Sequence, residues 1–248
     1  MGSARHKPEL IALFTDFGSD GIYTGQMRIA LARAGVPVID LLSNAPAFNP
    51  RASAYLLSAL IAAQEPGILY LCVVDPGVGS DRLPILIATG RNWFVGPDNG
   101  LFSQILKGNP DAQVRSIEWP RQGISNSFHG RDLFAPVAER VCQGLAVASE
   151  PLDAADLVGS DWPSDLAEVI YIDSFGNLMT GIRAGDVAQD RTIKIHNVNV
   201  PYARTFSLVE EDQLFWYENS IGLVEIAANK CSAATMLDAL IGTPLVIG

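Results

Sequence analysis

Asp75 closes an apolar run in Leu71-Cys-Val-Val-Asp-Pro-Gly-Val-Gly-Ser-Asp-Arg82, and Arg82 follows it after a turn holding two glycines. A carboxylate at a strand exit, beside backbone N–H groups that glycines leave accessible, suits a small polar ligand. The same residues also read as an ordinary Gly-rich turn between two strands. Asp16 repeats the pattern, following the apolar run Glu9–Thr15 and opening Asp16-Phe-Gly18. His129, in Phe128-His-Gly-Arg-Asp132, sits in a Gly-flanked loop, where functional residues concentrate, although a lone histidine is commonly structural. Arg131 and Asp132 read mainly as a pairing and capping couple at a helix start. Asp173-Ser-Phe-Gly-Asn177 reads either as a β-turn or as a ligand loop, and Gly96-Pro-Asp-Asn-Gly100 as a turn before a helix.

Several chemistries have no support. Gly77-Val-Gly79-Ser80 lacks the lysine of a P-loop, and no GxGxxG or GxSxG is present. Asp16-Phe-Gly18 stands without the lysine and catalytic-loop motifs of a kinase. The 3 histidines and 3 cysteines are scattered, which argues against a zinc site and for reduced thiols in a cytoplasmic protein. A formal charge of −10 disfavours nucleic acid and anionic membranes as partners. The polar start Met1–Pro8 has no apolar signal core, and no apolar stretch is long enough to span a bilayer.

The elements that must position these residues follow from periodicity. Apolar runs at 9–15, 36–42, 68–74, 83–89 and 93–95 read as strands, with helices at 23–34, 50–64, 100–106 and 131–142. Met27, Ala30, Leu31 and Ala34 fall on one face of the first helix. Continuous apolar strands separated by helices predict an α/β domain over 8–150 with a mostly parallel sheet. Asp16 and Asp75 then share the carboxyl edge, where ligands bind. Residues 151–166, with prolines and aspartates, read as a linker, and short strands over 167–248 predict a small antiparallel β-barrel domain.

Thr15-Asp-Phe-Gly18, Val74-Asp-Pro-Gly-Val-Gly-Ser-x-Arg82, Gly96-Pro-Asp-Asn-Gly100, Phe128-His-Gly-Arg-Asp132 and Asp173-x-Phe-Gly-Asn177 occur here in order. Together they resemble the S-adenosyl-L-methionine (SAM) hydrolase family, also called SAM hydroxide adenosyltransferases, which is related to the halogenating SAM enzymes. The resemblance runs from about residue 9 to 247. It implies hydrolysis of SAM to adenosine and L-methionine without metal or organic cofactor, in a homotrimer whose sites lie between subunits. By position Asp75, Arg82 and His129 match the family's water-handling triad. Asp16 matches the carboxylate that receives the ribose hydroxyls, and Phe48 the aromatic beside the nucleoside. Asp173, Asn177, Tyr217 and Ser220 match substrate-holding positions, and Ala228 to Lys230 the segment whose backbone reads adenine.

Departures from the relatives carry information too. Asp75 stands where halogenases have tyrosine and Gly130 where they have serine, which favours water over halide. Ile221 replaces their arginine, leaving open how the methionine carboxylate is held. In this reading Asp75 and His129 accept hydrogen bonds from the water, His129 serving as proton acceptor, and Arg82 fixes the Asp75 carboxylate. A SAM-dependent halogenase and a SAM- or adenosine-binding protein without turnover are the alternatives.

Overall fold

A computed structural model describes residues 7–120 and 122–248; residues 1–6 of the polar start lie outside it. The chain divides into two compact units, one running through Ala54 and resuming over Glu65–Trp162, the other comprising Tyr55–Gln64 and Pro163–Gly248. Among the described residues no helix is long and apolar enough to cross a membrane.

The first unit is built on β1 (Leu10–Thr15), α1 (Ile22–Ala30), β2 (Val38–Leu42), the start of α2 (Pro50–Ile61, counted with the other unit from Tyr55 on), β3 (Ile68–Val73), β4 (Pro84–Ala88), β5 (Trp93–Pro97), α3 (Ser103–Gly108), β6 (Gln113–Ile117), α4 (Ala135–Gln143) and β7 (Ser149–Leu152). Its sheet has the order β2-β1-β3-β5-β4-β6-β7. β2, β1, β3, β5 and β6 run one way and β4 and β7 the other, as the mostly parallel expectation holds. β1 and β3 are almost wholly buried, which is why they read as unbroken apolar runs. Met27, Leu31, Leu133, Phe134 and Val137 pack into the core with β1 and β3.

Four local features differ from the sequence expectation. α1 ends at Ala30, yet Leu31 and Ala34 continue its buried face through a turn that Gly35 closes at φ +78°. β6 carries polar residues between Val114 and Ile117, so it lacks the apolar run that marked the other strands. β7 begins the segment read as a linker; Pro151 is tolerated there because β7 is an edge strand. The helix expected from residue 131 starts as a π-helical turn, Gly130–Phe134, before α4. Pro136 lacks the N–H that would close an α-turn on Asp132, which favours the wider turn.

The second unit holds β8 (Leu166–Ile172), β9 (Leu178–Arg183), β10 (Ile193–Ile195), β11 (Val198–Val200), β12 (Leu214–Glu218), β13 (Leu223–Ala228), α5 (Ala233–Leu237) and β14 (Leu245–Ile247). The strands within each sheet pair antiparallel, in sheets ordered β12-β13-β9-β8 and β11-β10-β14. Single bridges, Glu168 with Pro244 and Tyr202 with Trp216, join the sheets at their two borders. Trp216, Val224, Ile226, Ile193 and Leu245 fill the space between them.

Candidate active site

Thr15 pairs with Val73 in register, so Asp16 and Asp75 leave adjacent parallel strands at one edge of the sheet. Asn99, from the Gly96–Gly100 turn, donates Nδ2 to the Val74 carbonyl at 2.8 Å and fixes the approach to Asp75. The turn after Asp75 needs Gly79: φ is +84°, and a Cβ there would lie 2.6 Å from the Asn126 carbonyl oxygen. This loop therefore packs directly on the loop that carries His129.

Arg82 crosses that contact. Its Nε donates to Asp75 Oδ1 at 2.8 Å and Oδ2 at 2.9 Å, and its Nη2 also donates to Oδ2. The Arg82 and Asp75 side chains are only 9% and 4% exposed, so the ion pair is shielded from water. Nη2 further reaches His129 Nδ1 at 3.0 Å, and the guanidinium lies 5.3 Å from the centre of the Phe134 ring. A guanidinium only donates, so Nδ1 accepts and the neutral ring carries its proton on Nε2. With Nδ1 engaged by Arg82, Nε2 is a donor in this tautomer.

Asp75 and His129 face a cavity of about 300 Å³ together with Asp16 and Phe48. Phe17, Tyr23 and Phe128 form one wall, with ring centres 5.1 to 5.8 Å apart. Asp16 Oδ2 accepts from the Phe48 N–H at 3.2 Å. Burial raises the Asp16 carboxyl above the usual aspartate range, and the Asp75 charge adds to this, while the Phe48 N–H opposes it. Phe48 has φ +57° and is 79% exposed, a strained, solvent-facing aromatic at the rim.

The His129 loop is held from outside the cavity. Arg131 donates to both oxygens of Asp132 and to Gln26 Oε1 on α1, and Asp132 accepts from the Ser125 N–H at 2.9 Å. The hydrogen bonds from Arg131 keep the Asp132 carboxyl below its ordinary range. Gly130 lines the cavity, and a Cβ there would lie 3.1 Å from Met27 Sδ and 3.3 Å from the Phe128 ring.

A second cavity, of about 780 Å³, lies in the second unit and gathers Asp173, Asn177, Tyr217, Ser220, Ala228 and Lys230. Asp173 Oδ1 accepts from the N–H groups of Phe175 and Asn177 at 2.9 Å, and Oδ2 accepts from Asn177 Nδ2 at 2.9 Å. The motif is a tight turn whose bonds hold a carboxylate at a cavity. Lys230, at φ +58°, pairs with Glu211 on the surface. Glu225, Asn219 and Phe206 also line this cavity. Glu225 escaped notice in the sequence because Leu223-Val-Glu-Ile-Ala reads as a buried strand with one isolated charge. Nothing in the spacing of Phe17, Tyr23 and Phe128 marks them as a cavity wall.

Comparison with known proteins matches both units to models of one family. Residues 11–150 match the SAM hydroxide adenosyltransferase N-terminal domain, and residues 167–246 its C-terminal domain. A protein of Thermus thermophilus named (R)-S-adenosyl-L-methionine hydrolase is 33% identical, over 95% of this chain and 98% of its own. A Salinispora arenicola protein of the same name is 32% identical, over 92% of this chain and 93% of its own. Among solved structures, an uncharacterized conserved protein from Thermotoga maritima superposes with a TM-score of 0.84 at 27% identity, covering 96% of this chain and 99% of that one.

Proposed function

Because this chain belongs to the SAM hydroxide adenosyltransferase family, we propose that it hydrolyses SAM, releasing adenosine and L-methionine. The observation that carries this reading is the Arg82 guanidinium binding Asp75 and His129 at one wall of a cavity that also presents Asp16. Asp16 is suited to accept both hydroxyls of a ribose diol, which places C5′ toward the other wall.

The leaving group needs no acid, since the sulfonium departs as a neutral thioether. A water oxygen forms the bond to C5′, the C5′–S bond breaks, and its electron pair goes to sulfur. One water proton is lost, and Asp75 is the acceptor the geometry offers. His129 donates from Nε2 to the water oxygen and orients it, leaving a lone pair for attack. Arg82 keeps the Asp75 carboxylate in one orientation and prevents rotation away from the cavity. The aromatic wall limits bulk water, and a low dielectric favours a step in which a cation is consumed. A carboxylate at this position also repels halide ions, which weighs against a halogenase.

We further propose that the second cavity receives the rest of the substrate, and that the two halves meet between subunits of a homotrimer. Asp173 suits the ammonium group, and Asn177, Tyr217, Ser220 and the backbone from Ala228 to Lys230 suit the remaining polar edges. Phe48 and Phe175, 79% and 78% exposed, fit aromatic surfaces that a substrate or neighbouring subunit covers. The test is incubation of the protein with SAM followed by mass spectrometry. Equimolar adenosine and methionine are expected; intact SAM, or a 5′-halogenated nucleoside, overturns the reading.

A further inference from the structure

Glu225 has no part in the chemistry above, yet its side chain lines the second cavity while the residue is only 2% exposed. A carboxylate is costly to bury, and an apolar residue would fill the strand interior at lower cost. Its partners give the reason for its presence. Tyr217, opposite it on β12, donates its hydroxyl to Oε1, and Asn219 donates Nδ2 to Oε2 at 2.8 Å. Asn219 Oδ1 accepts in turn from the N–H groups of Ile221 at 3.1 Å and Leu223 at 2.9 Å. Those bonds shape the turn that presents Ser220 to the cavity. One carboxylate therefore sets both a ring and a turn of the same wall.

We propose that Glu225 is a positioning residue: its ionised carboxylate holds Tyr217 and the Ser220 turn in the arrangement that receives the substrate. This rests on the SAM reading, in which Tyr217 and Ser220 contact the ligand. Among the described residues, the titratable groups around Glu225 are Tyr217 on β12 and Asp173 after β8, with Lys230 and Cys231 at the same cavity; Met179 faces it from β9. Burial raises the Glu225 carboxyl, the Asp173 charge adds to this, and the Tyr217 and Asn219 donors oppose it. The grip holds while the carboxylate is ionised. It loosens on acidification at a pH above that of an ordinary glutamate.

The test compares calorimetric SAM affinity and steady-state turnover of the wild type and Glu225→Gln across pH. Glutamine offers one oxygen and one amide group where two donors now bind, so either the Tyr217 hydroxyl must reverse to accept or one partner must turn away. The expected result is roughly tenfold weaker SAM binding, about 1.4 kcal/mol. kcat should change by less than about threefold, under about 0.7 kcal/mol. Of the wild type's loss of affinity on acidification, the component that belongs to Glu225 should be absent in the variant, while the component that belongs to Asp16 remains. An unchanged Kd at every pH overturns the proposal, as does a fall in kcat that leaves Kd and its pH dependence intact. Tyr217→Phe removes one donor without emptying the wall and should show part of the same affinity loss. Should Glu225→Gln not fold, a Tyr217→Phe protein with wild-type affinity overturns the proposal by itself. A wild type that binds SAM without cleaving it overturns the hydrolase reading but leaves the affinity comparison readable. One that does not bind SAM overturns both.

Discussion

Arg82 and His129 meet at 3.0 Å through Nη2 and Nδ1, so the residue that anchors the Asp75 carboxylate also fixes the imidazole tautomer. In the proposed mechanism that contact makes His129 a donor to the attacking water rather than its base. His129→Gln places an amide N–H near the Nε2 position and should retain part of the activity, while His129→Ala should lose roughly 10²-fold or more in kcat. Equal loss in the two variants, with an alkaline plateau that disappears in both, would indicate proton transfer to the imidazole instead. Steady-state kinetics with SAM across pH makes the comparison.

Arg82 cannot be exchanged for lysine on this account. Its Nε and Nη2 bind one carboxylate and one imidazole from a single plane, and an ammonium has no such fork. Arg82→Ala leaves the nearly buried Asp75 charge without a partner and should cost about 3–5 kcal/mol of stability. Arg82→Lys should unfold at a temperature nearer the wild type's yet remain strongly impaired in kcat. Denaturant melts alongside turnover assays separate the two effects.

Asp16 must be ionised to accept two ribose hydroxyls. Its carboxyl is raised by burial, so the folded protein takes up a proton there at a higher pH than the unfolded chain does. Stability assigned to this group is thus greatest in acid and is lost as pH rises through the raised value. SAM binding has the opposite sign: kcat/KM should fall as pH drops through the same value, above the ordinary aspartate range. Asp16→Asn should raise KM and remove that acid limb from the kcat/KM profile, provided the second cavity is assayed within its own plateau.

Phe48 pairs strain with exposure. Glycine at φ +57° is unstrained, so Phe48→Gly should stabilise the fold by roughly 1 kcal/mol. KM should nevertheless rise because the aromatic beside the nucleoside is gone. A calorimetric Tm and a KM measurement on one preparation test the trade. A lower Tm would show that the ring stabilises the unbound protein.

Gly130 leaves a Cβ only 3.1 Å from Met27 Sδ, so Gly130→Ser forces the methionine or the Phe128 ring to move. Overpacking of this kind costs about 1–3 kcal/mol. The variant should melt lower and bind SAM more weakly. It should not gain halide incorporation while Asp75 is present, which product mass spectrometry in chloride buffer reads directly.

The chain disclosed its parallel core readily, because β1 and β3 are apolar from end to end and Asp16 and Asp75 stand where those runs stop. It concealed β6 and β7, whose polar residues and Pro151 are compatible with antiparallel strands near a sheet edge but look like connector. The charged members of the site stood out because each sits in a glycine-bearing motif. Glu225 and the aromatic wall did not, since an isolated acid in an apolar strand and a phenylalanine near a turn look alike whether they face core or cavity. Nor could spacing reveal that Arg82 occupies the accepting nitrogen of His129. That required the two loops to be seen packed through Gly79.

The central claim, that Asp75 directs a water molecule to C5′, is tested most directly by single-turnover cleavage of SAM in ¹⁸O-labelled water. One solvent oxygen is expected on the 5′ carbon of adenosine in the wild type, with methionine unlabelled, and loss of this product in Asp75→Ala. Adenosine without label, or undiminished labelled product from Asp75→Ala, would contradict it.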